Sequence, residues 1–223
     1  MNENREQEAL SAYLKLLQVK GASSESLKKR EKFLAKLAPD IAGKPSDGFH
    51  YRDAVENLLD TMDKAEWPFS LAVAREYFPF WTKDIKAIAQ LNAEEAFELE
   101  PIHWQPLEAN LKTLWQMLDK EQFSVSETWP IKAYTLALRQ EGAQQAFVDT
   151  RVKLVKLLLV RLRDAPEKNH KIYRIAVDST VPLFGMKETR RLFLAVVREF
   201  YYFWIGDPDA ANYILTEATG NSL

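Results

Sequence analysis

Residues 71–81 read LAVAREYFPFW, and residues 194–204 read LAVVREFYYFW. The coincident letters are Leu71/Leu194, Ala72/Ala195, Val73/Val196, Arg75/Arg198, Glu76/Glu199, Phe80/Phe203 and Trp81/Trp204. Two windows of this length and average composition share about one letter by chance. The agreement predicts an internal duplication, which speaks to architecture rather than to chemistry.

The echo continues towards the N-terminus. Tyr51-Arg52-Asp53-Ala54-Val55-Glu56 matches Tyr173-Arg174-Ile175-Ala176-Val177-Asp178 with a change of one residue in offset. Ala12-Tyr13, Leu17, Gly21-Ala22, Arg30 and Lys32 match Ala133-Tyr134, Leu138, Gly142-Ala143, Arg151 and Lys153. Single-residue drifts between such blocks are what loop insertions produce. The echoing units cover roughly residues 5–91 and 129–217.

The chain has 223 residues, 47% of them apolar and 12% aromatic, which favours a buried core over disorder. Glycine is scarce and Leu, Ala, Glu and Lys are abundant, so the expected fold class is all-α. Apolar residues at helical spacing predict Glu6–Lys20, a second helix ended by Pro39, Tyr51–Ala65, and a helix from Pro68 that Pro79 kinks or shortens. A short helix from Thr82 to Leu91 follows. In the second unit the same reasoning predicts a helix opened by Pro130, then Ala143–Arg163, Ile172–Val181, Lys187–Trp204 and Asp209–Leu215. The expected architecture is two duplicated units of four to five helices in a pseudo-twofold bundle: residues 1–91 and 129–223, joined by an acidic helical bridge, 92–128, packed on the units. Within the bridge, Pro106–Leu118 reads as a helix with Leu107, Leu111, Leu114, Trp115 and Leu118 on one side.

Composition excludes several function classes. With no cysteine there is no disulfide, thiolate metal site or cysteine nucleophile, and a cytoplasmic setting is expected. The formal charge of −2 argues against a general nucleic-acid coat. The opening residues, MNENREQEAL, are polar and acidic and predict no signal peptide, and no apolar run is long enough to span a bilayer. Glu100-Pro101-Ile102-His103 has the E-x-x-H spacing of a di-iron ligand pair, but no second copy exists and proline interrupts it, so no metal or cofactor is expected. Nucleotide-binding glycine loops, a G-x-S-x-G and an H-E-x-x-H are absent too.

Three groups of candidate site residues remain. The repeated Arg-Glu lies in apolar helices, so a charge turned inward needs a partner; Arg75 with Glu56 and Arg198 with Asp178 are the expected structural ion pairs. The run Phe200–Trp204 cannot face one side of a helix, so Tyr201, Tyr202 and Trp204 are candidate interface residues. Arg151, Lys153, Lys156, Arg161, Arg163, Lys168, Lys171, Arg174, Lys187, Arg190 and Arg191 outnumber the acids between them. All of these but Arg174 are taken as a candidate nucleic-acid face, which equally suits an acidic protein partner or the chain's own acidic bridge.

The pattern Tyr13-Leu14…Leu17…Gly21-Ala22-Ser23…Ser26-Leu27…Phe33-Leu34…Leu37 resembles the opening of the helical core-binding domain of tyrosine recombinases, over one helical hairpin. The resemblance implies a hairpin of the kind that clasps DNA. The Arg…His-x-x-Arg…Tyr series of those enzymes is missing, so recombinase activity does not follow. The function expected first is a non-enzymatic protein–protein interaction module, with self-association an option. A DNA- or RNA-binding accessory protein comes second, and a small-molecule binder or enzyme with its pocket between the units third.

Overall fold

The computed structural model describes residues 3–93, 104–118 and 120–214. These residues form helices and turns, with no strand among them. None of the helices is long and apolar enough to cross a membrane. The chain divides into two compact units, residues 1–103 and 104–223. The division puts residues 104–128 of the acidic segment in the second unit.

Unit 1 contains α1 (Glu3–Val19), α2 (Ser24–Ile41), α3 (Gly48–Leu59), α4 (Trp67–Thr82) and α5 (Ile85–Ala93), with a 3-10 turn at Lys64–Glu66. The helix α1 lies against α2 and α4, and α3 packs on the same two. Tyr13, Leu17, Leu37 and Trp81 are fully buried at the centre. Ser23 caps α2 by accepting from the Ser26 amide, and Asp47 caps α3 by accepting from the His50 amide. Gly21 breaks the chain between α1 and α2 at φ +90°, a conformation an L side chain rarely adopts.

Unit 2 contains α6 (Leu111–Leu118), α7 (Val125–Gln140), α8 (Gln145–Arg161), α9 (His170–Thr180) and α10 (Lys187–Ile205), with 3-10 turns at Val181–Leu183 and Ala210–Tyr213. Here α7 lies against α8 and α10, α9 packs on the same two, and α6 rests on α8 through the buried Leu114. Asn169 caps α9 as Asp47 caps α3. Gly142 turns the chain between α7 and α8 at φ +82°. Two helix ends also share a closing hydrogen bond. After α4, Lys83 is left-handed and Asp84 N donates to Pro79 O at 2.9 Å; after α10, Gly206 is left-handed and Asp207 N donates to Tyr202 O at 2.9 Å.

Pro39 and Pro130 behave differently from the sequence expectation, and Pro79 lies inside its helix close to the end. Pro39 does not end α2, which runs on to Ile41, 1% exposed; Ala42 N still donates to Ala38 O at 3.0 Å, and burying Ile41 offsets the missing donor. Pro79 lies within α4, which continues through the fully buried Trp81 to Thr82. Pro130 does not open α7. The Ser124 side chain accepts from the Glu127 amide while the Glu127 carboxylate accepts from the Ser124 amide, and this capping box starts the helix earlier. The bridge helix is also shorter than expected, beginning at Leu111, and the expected last helix is a 3-10 turn.

Candidate functional site

In each unit a buried arginine, a buried glutamate and a buried tyrosine form a trio. In unit 1, Tyr13 comes from α1, Arg30 from α2 and Glu76 from α4. The Tyr13 hydroxyl donates to Glu76 Oε2 at 2.5 Å; Arg30 Nε donates to the same oxygen at 3.3 Å and to Tyr13 Oη at 3.2 Å. In unit 2, Tyr134 comes from α7, Arg151 from α8 and Glu199 from α10. The Tyr134 hydroxyl donates to Glu199 Oε2 at 2.7 Å; Arg151 Nη1 donates to that oxygen at 2.6 Å and to Tyr134 Oη at 3.0 Å. All of these residues are buried, Glu199 being 1% exposed. One negative and one positive charge cancel in each trio, and the phenol supplies a further donor to the carboxylate.

The surroundings of the trios match too. Tyr13 meets Phe80 edge-on at 5.4 Å, and Tyr134 meets Phe203 at 5.3 Å. The Tyr51 hydroxyl donates to Ala74 O at 2.7 Å, and the Tyr173 hydroxyl to Val197 O at 2.6 Å. Arg30 lies over the ring of Phe69 and Arg151 over that of Phe147.

Burial, together with the Glu76 carboxylate, pushes the Tyr13 phenol well above its ordinary pKa. Tyr134 is raised as well, by burial first; Arg151 opposes the rise and Glu199 adds to it. Burial works against the charge of Arg30, but Glu76 and Tyr13 outweigh it and hold the guanidinium above its usual value. The phenol is therefore a committed donor at neutral pH and the guanidinium a committed cation. The arrangement clamps three helices together through their side chains.

The structure distributes the sequence candidates unevenly. Of the repeated Arg-Glu, the glutamates face inward, while Arg75 and Arg198 are exposed. Glu56 and Asp178 are buried, each 8% exposed. The buried arginines that meet these glutamates are Arg30 and Arg151, whose place in the echo was visible although their pairing with the glutamates was not. Among the interface candidates, Trp204 is buried and Tyr201 and Tyr202 are half-buried; Tyr202 stacks on Tyr213 at 3.5 Å.

The basic stretch of unit 2 does not form one face. Arg151, Arg161 and Arg190 are buried. Arg161 donates to Leu107 O and Ser179 O, and Arg190 to Phe184 O and Gly185 O. Burial lowers the Arg161 pKa from its ordinary value. Lys153 lies over Trp115, and Lys156 and Arg163 over Phe123. Arg163 also pairs with Glu121 and Glu127. Lys168 lies over Trp204. Lys153 and Arg191 are exposed, and Lys171 and Lys187 half-buried. Much of this positive charge thus holds residues 107–127 onto α8. Glu100–His103 lies outside the described residues, and no cluster that suits a metal ion occurs among the described ones.

Glu127 joins the α7 cap to Arg163. Burial works against its charge, but the Ser124 and Arg163 hydrogen bonds outweigh it and hold the carboxyl below the usual glutamate range. A depressed folded pKa stabilises above the unfolded value and loses that contribution as pH falls through the folded one. Glu127→Gln is expected to cost about 1–2 kcal/mol at neutral pH. In thermal melts its deficit should shrink towards zero below about pH 4; a deficit that persists there would place the effect outside the carboxylate's charge.

Comparison with protein-family models, with curated proteins and with solved structures finds no match to this chain.

Proposed function

We propose that the chain is a non-enzymatic, cytoplasmic protein–protein interaction module whose two units share one ancestry. The observation that carries the functional reading is the direction in which side chains face. The charged groups with the most elaborate geometry, both Tyr–Arg–Glu trios, face inward and clamp helices. Several basic residues that suit an anionic partner lie over or pair with residues of the same unit. Large apolar side chains face solvent instead, a disposition that suits protein contacts. Common ancestry is supported by the echoing letters and by the recurrence of the trio, the tyrosine–carbonyl bond and the helix-end turns. Within the same proposal, Arg75 with Glu56 and Arg198 with Asp178 tie the third to the fourth helix of their units, each pair contributing under about 1 kcal/mol because its arginine is exposed.

The test is retention on heparin, set beside crosslinking to proteins after nuclease treatment. The proposal expects protein adducts that survive nuclease and little retention at physiological salt. Retention that falls steeply as salt rises would transfer the function to nucleic acid, through Lys168, Lys171, Lys187 and Arg191. Protein adducts absent altogether, with a metabolite that raises the melting temperature, would favour a small-molecule binder.

A further inference from the structure

One helix carries an outward apolar stripe that its fold does not require. On α7, Val125, Trp129 and Leu136 are 74%, 69% and 58% exposed. With Lys132 and Arg139, both exposed, they fall at i, i+4, i+7, i+11 and i+14, a single line along the helix. The opposite side of α7 holds Ile131, Tyr134, Ala137 and Leu138 in the core. The stripe is therefore a second apolar face, set against the one that folds the unit.

Unit 1 provides an internal control. Tyr13 and Tyr134 occupy the same place in their trios and so fix the register of α1 against α7. In that register the counterparts of Trp129, Lys132, Leu136 and Arg139 are Glu8, Ser11, Lys15 and Gln18, all exposed. A helix with the same packing role thus carries an ordinary polar outer face. Folding does not ask for tryptophan and leucine at these places.

Resting on the interaction reading above, we infer that the outer face of α7 is the docking surface for an acidic amphipathic helix of another protein. Size and charge select this occupant. Three large side chains offer on the order of 400 Å², the scale of one helix laid along another and below the roughly 800 Å² per partner of a standard globular interface. Leucine-like residues at i, i+3, i+4 and i+7 of the incoming helix meet Trp129 and Leu136. Its acidic edge meets Lys132 and Arg139. A second copy of this chain fits less well. The stripe carries no acid, so pairing two copies of α7 leaves Lys132 and Arg139 of each without an opposite charge.

The test places a photoreactive benzophenone amino acid at Ala133, exposed beside the stripe, in the full chain within its own cells. The crosslinked segment is mapped, and its synthetic peptide is titrated against the protein. The inference expects an acidic amphipathic helix as the adduct. Trp129→Glu should weaken the peptide about 30-fold, as loss of a buried tryptophan anchor does. Lys132→Glu with Arg139→Glu should weaken it about tenfold and reverse its salt dependence, because salt then screens a repulsion. Lys15→Glu, on the equivalent face of α1, should change nothing. An adduct to α7 of a second copy, to nucleic acid, or to a segment without acidic residues would overturn the inference. So would protein adducts from a benzophenone at the exposed Ile85 with none from Ala133, although the interaction reading would then stand. Absence of protein adducts from both positions would overturn both.

Discussion

Replacing Arg151 with alanine is expected to lower the stability of unit 2 by about 3–5 kcal/mol. The substitution leaves the Glu199 carboxylate buried with the Tyr134 hydroxyl as its remaining trio partner. Arg30→Ala should do the same to unit 1 through Glu76. Tyr134→Phe removes one donor and keeps the charge pair, so its cost should be about 1–3 kcal/mol. Arg198→Ala, from the neighbouring exposed position, should cost under about 1 kcal/mol. Urea unfolding read at the transition of each unit measures all four. A different outcome is expected when the whole trio is exchanged for well-packed apolar residues, as in Tyr134→Phe with Arg151→Met and Glu199→Leu. No stranded charge then remains, and the net change should be far smaller than that of Arg151→Ala alone. If Arg151→Ala unfolds at the parent midpoint, the trio is not a clamp.

Alkaline solution should unfold both units steeply. Tyr13 and Tyr51 in unit 1, and Tyr134 and Tyr173 in unit 2, are raised above the ordinary phenol value, with burial as the leading cause. Tyr77 is pushed up to about 12, again by burial first and then by Glu6. The folded phenol keeps its proton where the unfolded one loses it. The stabilising contribution is therefore complete below the unfolded value near 10 and is lost as pH rises towards the folded one. Two such phenols cost each unit about 2.7 kcal/mol per pH unit above 10. A domain stable by about 5–15 kcal/mol does not survive that for long. Tyrosinate absorbance should appear for these residues together with loss of helix. Ionisation near pH 10 with full helicity retained would contradict their burial.

The helical class and most elements were legible in the apolar spacing, since each helix buries one stripe. The trio was legible in part. Tyr13, Arg30 and Glu76 recur as Tyr134, Arg151 and Glu199 in the echoing blocks, but pairing adjacent helices by sequence favoured Arg75 and Arg198. Periodicity distinguishes the two sets. Arg151 sits between Val148 and Val155 on the buried stripe of α8, and Arg30 precedes Phe33 and Leu37 on that of α2. The same spacing separates Arg190 from surface lysines, because Phe193 and Val197 follow it at i+3 and i+7. The start of α7 was legible as well: Ser124-Val125-Ser126-Glu127 has capping-box spacing, which outranks Pro130 as a helix start. The hold of Arg163 on Glu121 and Glu127 was not, since it depends on how residues 104–128 return to α8.

Stability and partner binding, followed together in Arg151→Ala and Trp129→Glu, separate the buried trio from the outer face of α7. Opposite behaviour is expected of the two variants. Arg151→Ala should lose much of the stability of unit 2 and still bind the mapped partner peptide wherever it remains folded. Trp129→Glu should unfold at the parent midpoint and lose binding. Binding abolished in a fully folded Arg151→Ala, with Trp129→Glu binding as the parent does, would contradict that expectation and make the buried trio the functional site.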